Sequence, residues 1–376
     1  MIILGYPVSS INQSSDRVRA RDIGIEVGIM VTGPLNAITD VAGVSVGHQT
    51  LRTGKDIRTG VTVILPHSGN IYQEKVPAAI YFFNAYGKLA GYTQVEELGN
   101  IETPIALTNT LSVGTCMTAL VRYTLRQNGN ESVRSVNAVV GETNDGFLNN
   151  IRAMRVSEAD VWAALRAAAT GPVDEGSVGA GTGTSAFGFK GGIGTSSRIT
   201  PEINGKQYTI GVLVQSNFGW SLRINGVPVG RELDQEKSKA GKKPDHDGSC
   251  MIVIATDAPL SSRNLKRLAK RAFIGMGRTR SVMSNGSGDY AIVFSTAYRI
   301  PHQTETRTVE VPDLIDNDTM TTFFRAVEEA TEEAIYNSLF RATTTRGYGG
   351  HICKAVPIDK VLAIMKKYNS IKTDQE

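Results

Sequence analysis

Five residues, Met251-Ile252-Val253-Ile254-Ala255, run apolar without a break. A strand of this kind has no polar face to give to water, so both of its faces must be covered and the sheet that holds it must lie between other layers. The run begins just after a long polar segment, Gly230 to Gly248, which carries Arg231, Glu232, Asp234, Glu236, Lys237, Lys239, Lys242 and Lys243 and almost nothing to bury. A connection of that length inside a folded unit is typically a functional or processed loop. The whole change of pattern falls at one peptide bond, Gly248-Ser249.

Further strands are predicted at 60–66, 78–83, 138–140, 207–217 and 290–294. Helices are predicted at 112–126, at 157–169 behind a Ser157 cap with an acidic first turn, after Ser261-Ser262, and along the stretch from Phe323 to Leu339. The elements come in clusters and not in regular strand–helix alternation, so a layered α/β sandwich is expected. Residues 1–30 are polar and mixed and read as a surface arm.

With 40 basic and 36 acidic residues the net charge is +4, and no Lys/Arg run is long enough to suggest nucleic-acid binding. Cys116, Cys250 and Cys353 are odd in number and far apart, which argues against a disulfide framework or a cysteine zinc site, and the five histidines show no metal spacing. The start, Met1-Ile2-Ile3-Leu4-Gly5-Tyr6-Pro7, lacks a basic region and a long apolar run, and no segment reaches the length of a membrane span. A cytoplasmic protein with no metal or other cofactor is the expectation.

Several motifs carry chemistry. In Gly176 to Gly192 the spacing fails both nucleotide fingerprints: Gly179-x-Gly181-x-x-Thr184 lacks the third glycine, and Gly183-x-x-x-x-Gly188 is followed by Phe189 where a phosphate loop needs lysine. Turns and close backbone contacts are the preferred account, with a backbone lining for a small pocket as the alternative. Ser249 is different. Serine is a weak nucleophile without an adjacent base. A cut at Gly248-Ser249 would create one on the same residue, because an α-amino group titrates at about 7.7–8.0. Gly248 leaves the carbonyl open to attack. Taken singly, a Gly-Ser pair is more often an ordinary turn. The same holds of Ser287 and Asp289 in Asn285-Gly286-Ser287-Gly288-Asp289, which share a face if the strand begins at Ser287. It also holds of Asn217, an amide able to donate to an oxyanion, and of Glu142, a carboxylate able to take an ammonium.

These residues occur together in a pattern that runs along nearly the whole chain. It includes Arg19-Ala20-Arg21-Asp22, the stretch Gly33 to Val41, Gly47-His48, Gly60 to His67, Thr103 to Thr110, Gly188 to Arg198, Asn217-Phe218-Gly219, Gly248-Ser249 and Ala255 to Leu260. In these the chain closely resembles the DmpA family of self-processing aminopeptidases, which comprises L-aminopeptidase/D-amino-acid esterases and β-peptidyl aminopeptidases. The resemblance implies one domain over 1–376 with an αββα four-layer sandwich, similar to N-terminal-nucleophile hydrolases but differently connected. It implies self-cleavage into pieces of 248 and 128 residues. It implies Ser249 as nucleophile, Ser287 and Asp289 as its supporting pair, Asn217 as oxyanion donor and Glu142 as ligand of the substrate amine. It further implies a homo-oligomer of processed pairs acting on a small peptide or aminoacyl substrate without a metal.

Two positions depart from the pattern. Asn144 stands where some aminopeptidase-type members have tyrosine, and Asp289 where some β-peptidase members have glutamate. Both bear on substrate preference. The nearest rival is a self-processed acyltransferase of the ornithine acetyltransferase type, which uses threonine. An unprocessed binding protein that kept the fold is a third reading.

Overall fold

The computed structural model describes residues 17–235 and 248–371. Ten strands and four helices build the frame: β1 (Ser45–Thr53), β2 (Ile57–Leu65), β3 (Glu74–Ala85), β4 (Leu89–Ala90), β5 (Ile105–Asn109), α1 (Val113–Leu125), β6 (Val139–Thr143), α2 (Glu158–Arg166), β7 (Gly192–Ile199), β8 (Thr209–Asn217), β9 (Ser249–Thr256), α3 (Ser262–Arg278), β10 (Gly288–Ser295) and α4 (Met320–Phe340). One sheet has the order β1-β2-β5-β6-β4. The other has the order β7-β8-β9-β10-β3, extended by the short pieces Asn100–Ile101 and Ile300–Pro301 on β3.

Three apolar clusters define four layers. Met251, Val253 and Ala255 of β9 meet Ile64, Ile105, Leu107 and Val139 between the two sheets. Ile252 and Ile254 point the other way and pack with Leu265, Leu268 and Ala272 of α3 and with Ala330 and Ala334 of α4. Val63, Ala106 and Val140 pack against Cys116, Leu120, Val161 and Ala164 of α1 and α2. The order is therefore helices, sheet, sheet, helices, the αββα arrangement expected. The unbroken apolar run of β9 has its cause here, since alternate side chains enter two different cores.

Each sheet contains a parallel pair, β5 with β6 and β9 with β10, and each pair is joined by a helix on the outer face. Parallel strands require such a crossover, whereas the other pairings are antiparallel. β9 and β10 thus lie inside their sheet, flanked by β8 on one side and β3 on the other.

The predicted elements are present with shifted ends. The Ser157 cap is made, its hydroxyl accepting from the Asp160 N–H, but α2 stops at Arg166 and Ala169 bridges to Val46 instead of extending the helix. β10 begins at Gly288, one residue after Ser287.

Two expectations need correcting. The start of the polar segment is helical, Val229–Gln235, and buries Leu233; residues 236–247 lie outside the described residues. The N-terminal segment from Arg17 onward is no surface arm; residues 1–16 lie outside the described residues. Ala20, Ile25 and Val27 join the core, Arg19 pairs with Glu175 at 2.9 Å, and Arg21 pairs with Glu333 at 2.9 Å. Glu333 also binds the fully buried Arg198 at 2.7 Å, so this segment is clamped between β7 and α4 by a buried ionic network. Sequence periodicity does not show such a segment, because ion pairs and a few apolar residues without a regular period hold it.

Candidate active site

The register of the second sheet brings three separated stretches to one point. Ser249, the first residue of β9, lies opposite Asn217, the last of β8, and opposite Gly288, the first of β10. Gly248, just before it, is pressed against β8: a Cβ there would stand 2.6 Å from the Asn217 carbonyl oxygen and 2.6 Å from Phe218 Cα. Only glycine fits that approach. The Gly248 carbonyl accepts from the Gly288 N–H at 3.2 Å. That donor polarises the carbonyl of the Gly248-Ser249 bond.

Ser249 faces a cavity of about 750 Å³ that lies over the C-terminal ends of β6 and β8. Glu142, Asn144, Asn217 and Gly248 line the same cavity. Ser287 and Asp289 do not. By strand alternation Asp289 shares the face of Ala291, which belongs to the core under α3 and α4. It is paired in register with Cys250 of that same core. The hydroxyl of Ser249 and the Ser287–Asp289 pair therefore approach the junction from opposite faces of the sheet. The pair addresses the backbone at the start of β9, and the hydroxyl addresses the cavity.

Ser249 Oγ, Ser287 Oγ and both Asp289 carboxylate oxygens are buried without a hydrogen bond of regular geometry. Buried polar atoms are nearly always paired, and leaving one unpaired costs about 1–3 kcal/mol. Four such atoms at one strand end mark a place where the chain holds unsatisfied chemistry. Burial pushes the Asp289 carboxyl up to about 7, and the nearby Ser287 hydroxyl and Cys250 N–H offset only part of that.

Asn217 is held at both ends of its amide. The Ser185 N–H donates to Oδ1 at 3.0 Å, and Nδ2 donates to the Asn144 carbonyl at 2.9 Å. The second Nδ2 hydrogen is left for a ligand. Glu142 is buried at the end of β6. Its Oε1 accepts from the Lys88 N–H at 3.1 Å and lies 3.7 Å from Lys88 Nζ, and its Oε2 accepts from the Thr110 hydroxyl. The Asn144 side chain is exposed at the rim, where Oδ1 accepts from the Gly146 N–H in a turn.

The glycine-rich stretch folds around a cation of its own chain. Lys190 is fully buried and donates to the Gly181 and Gly191 carbonyls, each at 2.7 Å, and burial lowers its pKa to about 7. The turns expected there are present, and Ser185, Phe187 and Gly188 also line the cavity. Lys88 and Thr110, which grip Glu142, escape the sequence reading. Thr110 ends the Thr103–Thr110 motif, but a lone lysine after Gly87 gives no signal. Among the described residues no cluster of His, Cys, Asp and Glu is arranged to hold a metal ion, and no helix is long and apolar enough to cross a membrane.

Comparison with known proteins agrees with this picture. The family model described as Peptidase family S58 matches residues 36–353. A β-peptidyl aminopeptidase, BapA of Sphingosinicella microcystinivorans, is 41% identical over 385 aligned positions, covering 95% of this chain and 94% of that protein. The structure of the PH0078 protein from Pyrococcus horikoshii OT3 superposes with a TM-score of 0.87 at 47% identity, covering 94% of this chain and 99% of the other. An L-aminopeptidase D-Ala-esterase/amidase from Ochrobactrum anthropi, described as a prototype of the serine aminopeptidases and a variant of the Ntn hydrolase fold, superposes with a TM-score of 0.85 at 38% identity. That match covers 94% of this chain and 99% of the other.

Proposed function

The chain belongs to peptidase family S58 and is an aminopeptidase, and from that premise we propose that it matures by cutting its own Gly248-Ser249 bond and then uses Ser249 as an N-terminal nucleophile. The observation that carries this is the cluster of unpaired buried atoms, Ser249 Oγ, Ser287 Oγ and the two Asp289 oxygens, around a carbonyl already polarised by the Gly288 N–H.

In the cut, Ser249 Oγ attacks the Gly248 carbonyl carbon, the C–N bond breaks, and the nitrogen leaves as the α-amine of Ser249. Water then hydrolyses the Gly248 ester. The new amine emerges beside Ser287 and Asp289, which supply a hydrogen-bond acceptor and a countercharge. In turnover the amine takes the hydroxyl proton as Ser249 attacks the carbonyl of a substrate's first residue. The free Nδ2 hydrogen of Asn217 meets the oxyanion, and the proton passes to the leaving amine. Water releases the acyl group.

Glu142 takes the substrate ammonium, and Asn144 borders the pocket. Replacing Glu142 by Gln removes a charged hydrogen bond worth roughly 1.5–3 kcal/mol, so KM for a free-amine substrate should rise about tenfold to a hundredfold. Steady-state kinetics with alanine anilide measures it, and an unchanged KM would remove Glu142 from this role.

The domain reading is one unit over 1–376 cut into 1–248 and 249–376. A cytoplasmic homo-oligomer of such pairs fits three buried free cysteines and the exposed Phe83 and Tyr86 at the end of β3. Intact-mass analysis of fresh protein, run beside assays on L-, D- and β-aminoacyl amides, tests the whole reading. Fragments of 248 and 128 residues together with amide hydrolysis are expected; an active, uncut chain would overturn it.

A further inference from the structure

A cation of this chain already stands beside the ammonium subsite. β4 pairs antiparallel with β6, Leu89 opposite Gly141 and Ala90 opposite Val140. Continued by one residue, that register sets Lys88 opposite Glu142. The Lys88 N–H fixes Oε1 at 3.1 Å, and Nζ turns back to the same oxygen at 3.7 Å. Glu142 is almost wholly buried, whereas the Lys88 side chain is about half exposed, 53%. The carboxylate is therefore held by the strand and the Thr110 hydroxyl, while the lysine head is free to leave on its four-carbon stem. Among the described residues that line the cavity, Lys88 is the only Lys or Arg.

A substrate ammonium that pairs with Glu142 competes with Lys88 Nζ for the same carboxylate. The displaced ammonium stays at the cavity wall, tethered beside the bound substrate, where it can pair with a new anion. A short peptide with a free C-terminal carboxylate brings that anion itself. We propose that Lys88 makes this aminopeptidase selective for short zwitterionic peptides, above all dipeptides, by exchanging its pairing with Glu142 for the substrate's terminal carboxylate. The Lys88–Glu142 pair opens, and each member takes the opposite end of the substrate. For an amide or anilide, which has no carboxylate, the same lysine acts only as an internal competitor for Glu142. Lys88 is on this account a specificity residue, since it touches substrate at the end remote from the scissile bond.

This inference rests on Glu142 as the ammonium ligand, and the two can fail separately: the Glu142→Gln effect on KM tests that role, and Lys88 is tested by the ratio of two substrates. kcat/KM is measured for alanyl-alanine and for alanyl-alanine amide in the wild type, Lys88→Met and Lys88→Arg, at low and at high salt. The wild type should favour the carboxylate form by about fivefold, the range of a solvent-accessible ion pair, and less in high salt. Lys88→Met should bring the ratio close to one, losing activity on the dipeptide and gaining it on the amide through a lower KM. Lys88→Arg should keep the wild-type preference. A ratio that is the same in the wild type and Lys88→Met, or a Met variant that weakens both substrates equally, would overturn the proposal.

Discussion

Replacing Ser249 by alanine should leave a single uncut chain of 376 residues with no measurable aminopeptidase turnover. Both losses have one cause. Without Oγ nothing attacks the Gly248 carbonyl, so the α-amine that would serve as base is never released. The active site loses nucleophile and base together, and a fall in kcat of about 10⁴-fold or more is expected. The fold should survive, because Ser249 Oγ has no hydrogen-bond partner to lose. The measurement is a denaturing gel and an intact mass beside an amide assay. A Ser249→Ala protein that appears as two fragments, or that hydrolyses aminoacyl amides, would move the nucleophile elsewhere.

Asp289→Asn should separate stability from activity, and in opposite directions. In the uncut chain the Asp289 carboxyl is pushed from 3.8 to about 7 by burial. Such a group binds its proton more tightly folded than unfolded. Its favourable contribution is complete below 3.8 and is lost as pH rises to about 7. At pH ~8 the ionised carboxylate is a liability of a few kcal/mol, and asparagine removes it. On the Ser249→Ala background, Asp289→Asn should therefore raise stability above neutral pH, and the gain should vanish on acidification. Urea unfolding at both pH values measures it, and a gain independent of pH would mean that the carboxyl does not titrate as described. In the cleavable chain the same substitution takes away the countercharge for the new amine, and kcat should fall about a hundredfold.

The site was legible where local composition changes and obscure where sheet register decides. The Gly248-Ser249 boundary shows in the sequence because a charged segment meets a strand buried on both faces. The same strand requires its sheet to lie between other layers, whereas the four-layer order rests on the family resemblance. Asn217 and Gly288 reach Ser249 only through pairings with β8 and β10, which no spacing in the chain reveals. That Asp289 stands behind the sheet, away from the cavity, depends on its pairing in register with Cys250. The grip of Lys88 on Glu142 depends on β4, a strand of two residues too short to announce itself. The N-terminal segment was misread because buried ion pairs to Glu175 and Glu333, with no apolar period, hold it in place.

The insertion of β9 and β10 between β8 and β3 has a consequence for the protein's life history. A cut at Gly248-Ser249 gives the interior strands to one polypeptide and the strands on either side of them to another. The first sheet stays whole in the longer piece, but neither piece owns the second sheet, and the two cannot part by sliding at an edge. The fold is reached while a single chain closes its own loops, a first-order process. Once cut, unfolded pieces would have to find each other again in solution, at a rate set by their concentration. The mature protein would persist because unfolding is slow, whatever its equilibrium stability, and each molecule would have one opportunity to assemble correctly.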